Sequence, residues 1–367
     1  MNNSYNGHLC IVFALEHYNP LNMIRAFGES GINPVYISVK RRYEVAIFSK
    51  YISKLHRVDS VEEGFRLLLD EYGNFDSDHK PYIVFSDDKS VGYFDLHYDE
   101  WKGKFIAYNA GKTGRINEFM DKYNIQQLVI SKNDDLPKDL WYPIITKDIS
   151  PNSGSWKDDV YVCQNENELK NAITKISSPF IMIQHFVDKQ NEMALEGYTI
   201  NRGRDMHIVT QMTWKYLIQG YYSPYHDVCM FTDKEMERKL QAMFEEIGFE
   251  GIFEVEFLID KDGTFYFMET NFRASAWNPT GKFAGMPLDY LWVKGMENSY
   301  IDPSDRKDFE PFTSMSEVID YGKRVEGGMV SIAEWLRDFK DAKCVYIYDK
   351  EDRAPWDEVT KNWESFK

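Results

Sequence analysis

The sequence predicts a protein of mixed class, α/β at its start and α+β beyond, and three observations support that expectation. Residues 8–15 (HLCIVFAL) form a short apolar run, residues 34–39 (PVYISV) form a second, and the helical stretch EHYNPLNMIRAFGESG lies between them. A buried strand, a helix and a buried strand in that order predict a Rossmann-like lobe with a parallel sheet and a right-handed crossover. Farther on, MALEGYTI and DMHIVTQMTW flank the turn NRGR, while FEVEFLID and TFYFMETNF flank KDG. Both pairs read as antiparallel hairpins, the second most clearly because of its Asp-Gly turn.

The individual elements follow from spacing. Leu21, Ile24, Arg25 and Phe27 share helical periodicity, and Gly31 is the expected stop. A third strand, YIVF (82–85), runs into SDDK, a polar loop at a carboxyl end, where such sheets bind ligands. No GxGxxG follows the first strand, which argues against a dinucleotide site and an oxidoreductase. Residues 114–125 (GRINEFMDKYNI) and 166–176 read as helices, 141–147 and 178–187 as strands, and 233–248 as a helix closed by Gly248. The tail offers one amphipathic helix (VSIAEWLRDF) and one short strand (CVYIYD). The expected organisation is a first lobe over 1–103, subdomains over 104–186 and 187–300, and an extension over 301–367.

Composition narrows the function. Of 367 residues, 43% are hydrophobic and 28% charged, enough for ordinary cores. A net charge of −16 argues against nucleic acid and anionic membrane surfaces as partners. A metal ion and a few lysines could still reverse the field in one cleft. The four cysteines form no CxxC pair, no apolar run nears the ~18 residues of a membrane helix, and MNNSYNG lacks signal-peptide order. A reducing cytoplasm is the expected setting.

The second hairpin carries the chemistry. In its first strand Phe253, Val255 and Phe257 alternate with Glu254 and Glu256. In its second, Glu269, Asn271 and Arg273 share one parity, spaced roughly 7 Å apart along a face. With Glu256 across the turn, two carboxylates and an amide oxygen converge as a hard-oxygen set suited to Mg²⁺. A solvated outer face would account for any one of these residues, but poorly for all four in this order.

The segment E-F-L-x-x-x-x-G-x-x-x-x-x-E-x-N-x-R resembles the metal-binding segment of the ATP-grasp superfamily, which includes biotin carboxylase, carbamoyl phosphate synthase and D-alanine ligase. The resemblance implies a Rossmann-like (pre-ATP-grasp) lobe followed by a two-subdomain ATP-grasp fold. It implies Mg²⁺ (or Mn²⁺) on Glu256, Glu269 and Asn271, and Arg273 beside the transferring phosphoryl group. Lys147 in IITK and Lys112 in NAGKTGRINEF resemble phosphate-binding lysines, and Gly154 falls in the position of the loop over the phosphates. IMIQHFV resembles the adenine-binding hinge, implying Gln184, His185, Phe186 and Val187. Glu192 matches the ribose acid, and Lys215 a basic residue near the phosphates. IRAFGESGI, the run Ser49, Lys50 and Tyr51, the EWL helix and DRAPW are similar to D-aspartate ligase and its carbamoyl-phosphate-synthase-like relatives.

The function implied is an ATP-dependent carboxylate–amine ligase acting through an acyl phosphate on an amino acid or small acid, with Arg273 and Lys147 catalytic. Its partners would be a small carboxylate and a small amine, and a homodimer is compatible with it. Activation of bicarbonate is the nearest rival, and a catalytically inactive ATP-binding regulatory protein of the same fold is the alternative. Candidate substrate contacts are Lys215, Tyr221, Tyr222, His226 and Ser275.

Overall fold

The first apolar run forms the strand His8–Leu15, buried along almost its whole length. Val35–Val39 lies on one side of it and Tyr82–Val84 on the other, both parallel. Lys54–Val58 and Ile106–Ala107 complete the two edges of this sheet, and Ser4–Tyr5 adds an antiparallel stub. A strand inside a parallel sheet is covered on both faces, so its sequence is continuously apolar instead of alternating. Successive strands are laid down first on one side of His8–Leu15 and then on the other. Strand order therefore reverses beside the carboxyl ends at Leu15 and Val84.

This is the computed structural model of the chain, and it describes residues 2–74, 77–120, 128–148, 160–218 and 223–363. It divides into two compact units. One comprises Met1–Asn117, Asn191–Phe257 and Phe267–Lys367; the other comprises Glu118–Gln190 and Leu258–Tyr266.

In the larger unit, the helix Tyr18–Glu29 ends just before Gly31, whose φ of 87° is the left-handed conformation glycine adopts most readily. The helix Lys234–Ile247 starts on Asp233, which accepts from the backbone of Glu235 and Met236, and stops at Gly248 with φ 76°. Lys189–Ile200 and Asp205–Trp214 form the first expected hairpin. They sit inside a seven-stranded sheet whose order is Phe265–Asn271, Gly251–Asp260, Lys189–Ile200, Asp205–Trp214, Tyr225–Cys229, Phe312–Met315 and Cys344–Val345. The tail thus contributes two strands to this sheet, not one, and also a helix Ala354–Lys361 beyond the expected Ile332–Asp341. FTSM and CV are too short to show period-two alternation; FTSM takes its register from Tyr225–Cys229, and CV takes its own, in parallel, from FTSM.

The smaller unit holds an antiparallel sheet in the order Leu128–Ser131, Phe180–His185, Ile144–Asp148 and Val160–Cys163. The helix Glu166–Lys175, capped by Asn165, covers a core built on Ile144, Leu169, Ile181 and Ile183. The turn of the second hairpin also belongs here: Asp260 Oδ1 accepts from the backbone of Asp262 and Thr264, and Gly263 has φ 78°. Among the described residues no helix is long and apolar enough to cross a membrane.

Candidate functional site

The strand Gly251–Asp260 alternates as expected, but its polar face is not a solvated surface. Glu254 is 1% exposed, as deeply buried as Phe253 and Val255 on the opposite parity. A buried carboxylate is costly unless charged and hydrogen-bonding partners surround it, and each partner here comes from the segment 271–277. Asn271 Nδ2 bridges two acids, donating to Glu254 Oε2 and Glu256 Oε1 at 3.1 Å each. Arg273 donates from one terminal nitrogen to Glu254 Oε2 at 3.2 Å and from Nε to Asp88 Oδ1 at 2.9 Å. The Trp277 indole donates to the other oxygen of Glu254.

Asp88 opens the helix Asp88–Leu96, whose cap Asp87 follows the strand Tyr82–Val84, and Ala274 N donates to Phe85 O at 3.1 Å just after that strand. The strand-order reversal of the first lobe and the acidic hairpin face therefore meet at Arg273. The loop that carries Arg273 is fixed farther along by Glu196. One of its oxygens accepts from Ser275 N at 3.0 Å and Ser275 Oγ at 2.7 Å.

Charge in this cluster is unbalanced. Burial raises the pKa of Glu254, with Arg273, Trp277 and Asn271 working against the rise. Glu256 is pushed well above the usual carboxylate range by burial and then by the like charges of Glu254 and Glu269, with Glu192 adding to them. Burial disfavours the charged form of Arg273, but Asp88 and Glu254 outweigh it and hold the guanidinium protonated. Among the described residues Arg273, itself shared with Asp88, is the cation that pairs with Glu254, and the carboxylates of Glu256 and Glu269 lie close enough to repel Glu254 and each other.

That set suits a hard divalent cation. With its nitrogen on the two glutamates, Asn271 keeps its oxygen for a ligand, beside the carboxylates of Glu256 and Glu269. Among the described residues no three His, Cys, Asp or Glu side chains form a ready-made metal cage. Mg²⁺ seldom uses one, since it is bound by one or two carboxylates with phosphate oxygens and waters filling the octahedron.

Glu256, Glu269, Asn271 and Arg273 are thus brought together, and Glu192 acts on Glu256 from the neighbouring strand. Lys112 is exposed in the turn before the helix Arg115–Met120. Lys215 is held by Asp227 at 2.9 Å and lies 5.7 Å from the Tyr225 ring. In the smaller unit, Lys147 stands on a central strand with Met182 and Val160 as its Cα partners. Gln184 and His185 end the strand Phe180–His185, and His185 stacks on Tyr266 at 5.9 Å between centroids. Phe186 N donates to Pro143 O, and Val187 follows it. Gly154, Tyr221 and Tyr222 lie outside the described residues.

His226 is fully buried between Trp214 and Trp277, and burial lowers its pKa to about 3. Sequence reasoning did not assign Glu254, Asp88, Glu196 or Trp277 to the site. The shared parity of Glu254 with Glu256, and the polar SDDK loop, were the available signals for two of them.

No protein-family model matches the chain, and no curated protein does. Solved structures do match in fold. An L-amino acid ligase from Bacillus licheniformis is 12% identical with a TM-score of 0.55, covering 83% of this chain and 78% of its own. N5-carboxyaminoimidazole synthetase from Staphylococcus aureus is 15% identical with a TM-score of 0.61, covering 89% and 87%. The biotin carboxylase domain of 2-oxoglutarate carboxylase from Hydrogenobacter thermophilus, in complex with MgADP, ADP and bicarbonate, is 16% identical with a TM-score of 0.56, covering 83% and 73%.

Proposed function

From the ATP-grasp fold that the chain carries, we propose that it is an ATP-dependent carboxylate–amine ligase, forming an amide through an acyl phosphate on an amino acid or another small acid. The observation that carries this reading is the acidic hairpin face: Glu256, Glu269 and Asn271 offer oxygen ligands on the face that also holds the half-buried Arg273. Mg²⁺ bound there supplies charge neutralisation between the protein carboxylates and the phosphates of ATP.

The protein's own part is positioning. Arg273, clamped by Asp88 and Glu254, presents a planar fork of donors to anionic oxygens and supports charge that develops during phosphoryl transfer. A substrate carboxylate attacks the γ-phosphorus and ADP leaves; an amine then attacks the acyl carbon and phosphate leaves. The amine nitrogen loses a proton in that second step. The reversal point beside Leu15 and Val84, which Asp88 joins to Arg273, is where a sheet of this type receives a small ligand, and we assign the carboxylate to it.

Lys112 and Lys147 are assigned to phosphates, Gly154 to the loop over them, Gln184 to Val187 to adenine, and Glu192 to ribose. Lys215 is assigned to the phosphates only if it gives up Asp227. The test is ADP release with Mg²⁺ across pairs of amino acids and small acids, with mass detection of the amide. Activity in some pair, dependent on both members, is the expected result. ATP binding with no substrate-dependent ADP release from any pair would leave a binding protein.

A further inference from the structure

The loop that carries Arg273 is fastened to other elements at three consecutive residues. The guanidinium reaches Asp88 and Glu254, and Ala274 N donates to Phe85 O at 3.1 Å. Ser275 donates to Glu196 Oε1 from N at 3.0 Å and from Oγ at 2.7 Å. Residues 193–200 (MALEGYTI) are all buried inside the seven-stranded sheet, and Glu196 is the one acid among them. The register to Asp205–Trp214 slips beside it: Glu196 lies opposite Thr210, but Gly197 lies opposite Ile208. Gly197 comes so near the partner strand that a Cβ would lie 2.2 Å from His207 O. Such a slip is a β-bulge, which bends a strand and re-aims the side chains beside it. A buried carboxyl group is costly, and the hydrogen bonds that Glu196 makes go to the Arg273 loop.

The second oxygen of Glu196, Oε2, is buried without a partner among the described residues. Glu254 on the neighbouring strand and Asp289 in the first turn of the helix Leu288–Asn298 act on Glu196 as like charges. Tyr108, Cys344 and Tyr346 face it from the remaining elements packed there, and burial keeps all three neutral. Asp289 is itself fully buried, and burial lifts its pKa to about 7. Carboxyl groups crowded together in a dry interior do not all ionise, so a proton stays among them. Glu196 Oε1 already accepts twice from Ser275, which leaves Oε2 as the atom that carries the proton.

We propose that Glu196 is a positioning residue for Arg273: with its proton in place it holds Ser275, and through it the guanidinium between Asp88 and Glu254, and loss of that proton lets the loop 273–277 open. Opening brings the carboxyl group to water, where its ordinary pKa of 4.5 returns in place of about 8. The closed loop is therefore fully favoured below pH 4.5, and opening becomes easier as pH rises to about 8 and no easier beyond. The hold on the loop is independent of the reaction; its effect on phosphoryl transfer rests on the ligase reading.

The test is hydrogen exchange of the full chain, read by mass spectrometry on peptides spanning 272–278 and, as reference, 8–15. Wild type, Glu196→Gln and Glu196→Leu are compared at the same pH. Glu196→Gln keeps an acceptor for Ser275 and does not ionise, so at pH 5 it should protect 272–278 as the wild type does. Toward pH 8 the wild type should lose protection relative to it, by up to about 10-fold per pH unit. Glu196→Leu offers Ser275 no acceptor and should expose 272–278 at every pH, while 8–15 exchanges alike in all three. Equal protection in wild type and Glu196→Gln from pH 5 to 8, or a loss shared by 8–15, would overturn the proposal. With a substrate pair that releases ADP, Glu196→Leu should lower kcat by about 10-fold or more at little change in the KM for ATP, and Glu196→Gln should restore it. An open loop with unchanged kcat would overturn the positioning of Arg273. Absence of ADP release from the wild type would defeat the ligase reading, and the exchange result would still decide whether Glu196 holds the loop.

Discussion

Two charge clusters of the larger unit are built from similar residues and differ in balance. In one, Arg25 and Asp352, 2% and 1% exposed, form an ion pair at 3.0 Å. Ser49 Oγ and Lys50 N complete the Asp352 carboxylate at 2.7 and 2.9 Å, and the other Arg25 nitrogens donate to the carbonyls of Ile347 and Asp352. Each charge there has its counterpart within the protein. In the other, the like charges of Glu254, Glu256 and Glu269 act on one another, and among the described residues Arg273, also shared with Asp88, pairs with Glu254. A balanced cluster needs nothing further and ties the tail to the first lobe. An acid-rich one has room for a cation from outside. The IRAFG, Ser49–Tyr51 and DRAPW stretches turn out to be one structural clasp.

The largest effect is expected in the balanced cluster. Asp352→Ala leaves Arg25 buried without its partner, which should cost about 3–5 kcal/mol of stability. Urea unfolding would measure it, and specific ADP release per folded molecule should not change. A loss of turnover without a loss of stability would erase the distinction between the two clusters.

The acid-rich cluster should respond the other way. Glu269→Gln removes one member of a repelling set, so the metal-free protein should melt no lower than wild type. Substrate-dependent ADP release should nevertheless fall by at least ~10²-fold, as when one electrostatic contact to a transition state is lost. Near-wild-type ADP release would sink the metal assignment. Arg273→Lys comes next. It should keep ATP binding and lower turnover by about 10²-fold, since an ammonium does not copy the fork between Asp88, Glu254 and an anion. A lower melting temperature with unchanged specific turnover would make Arg273 a structural residue.

The sequence made the acid-rich cluster legible and left the balanced one hidden, for a physical reason. Glu256, Glu269, Asn271 and Arg273 lie on two adjacent strands joined by one turn, so period-two spacing places them on a common face. Arg25 and Asp352 are 327 residues apart, and no local pattern registers such a pair. Asp88 reaches Arg273 across 185 residues and was visible only as a polar loop. Glu254 sat on the expected face, yet its burial follows from Trp277 and Arg273 closing over it. The strand Phe312–Met315 takes its register from Tyr225–Cys229, so its own four residues did not reveal it.

The smallest effect concerns Glu196, and it asks whether acid excess in this region is stored as protonated carboxyl groups. Glu196 is fully buried, and burial raises its pKa from an ordinary 4.5 to about 8, against the hydrogen bonds from Ser275. An acid whose folded pKa exceeds its unfolded value keeps its proton longer in the native state. Stability then falls as pH rises between the two values and levels off above the folded one. The window is therefore pH 4.5 to 8, with a slope of up to about 1.4 kcal/mol per pH unit from this group. Glu196→Gln keeps an oxygen to accept from Ser275 N and Oγ but does not titrate. At pH 5 the two proteins should differ by well under ~1 kcal/mol, because the wild-type side chain is neutral in the fold and a neutral carboxyl and an amide are nearly isosteric. By pH 8 the variant should be the more stable, and urea unfolding at pH 5, 6, 7 and 8 reads the divergence. Parallel stability curves would mean that Glu196 is charged in the fold, and that a partner for its second oxygen balances this region as Arg25 balances Asp352.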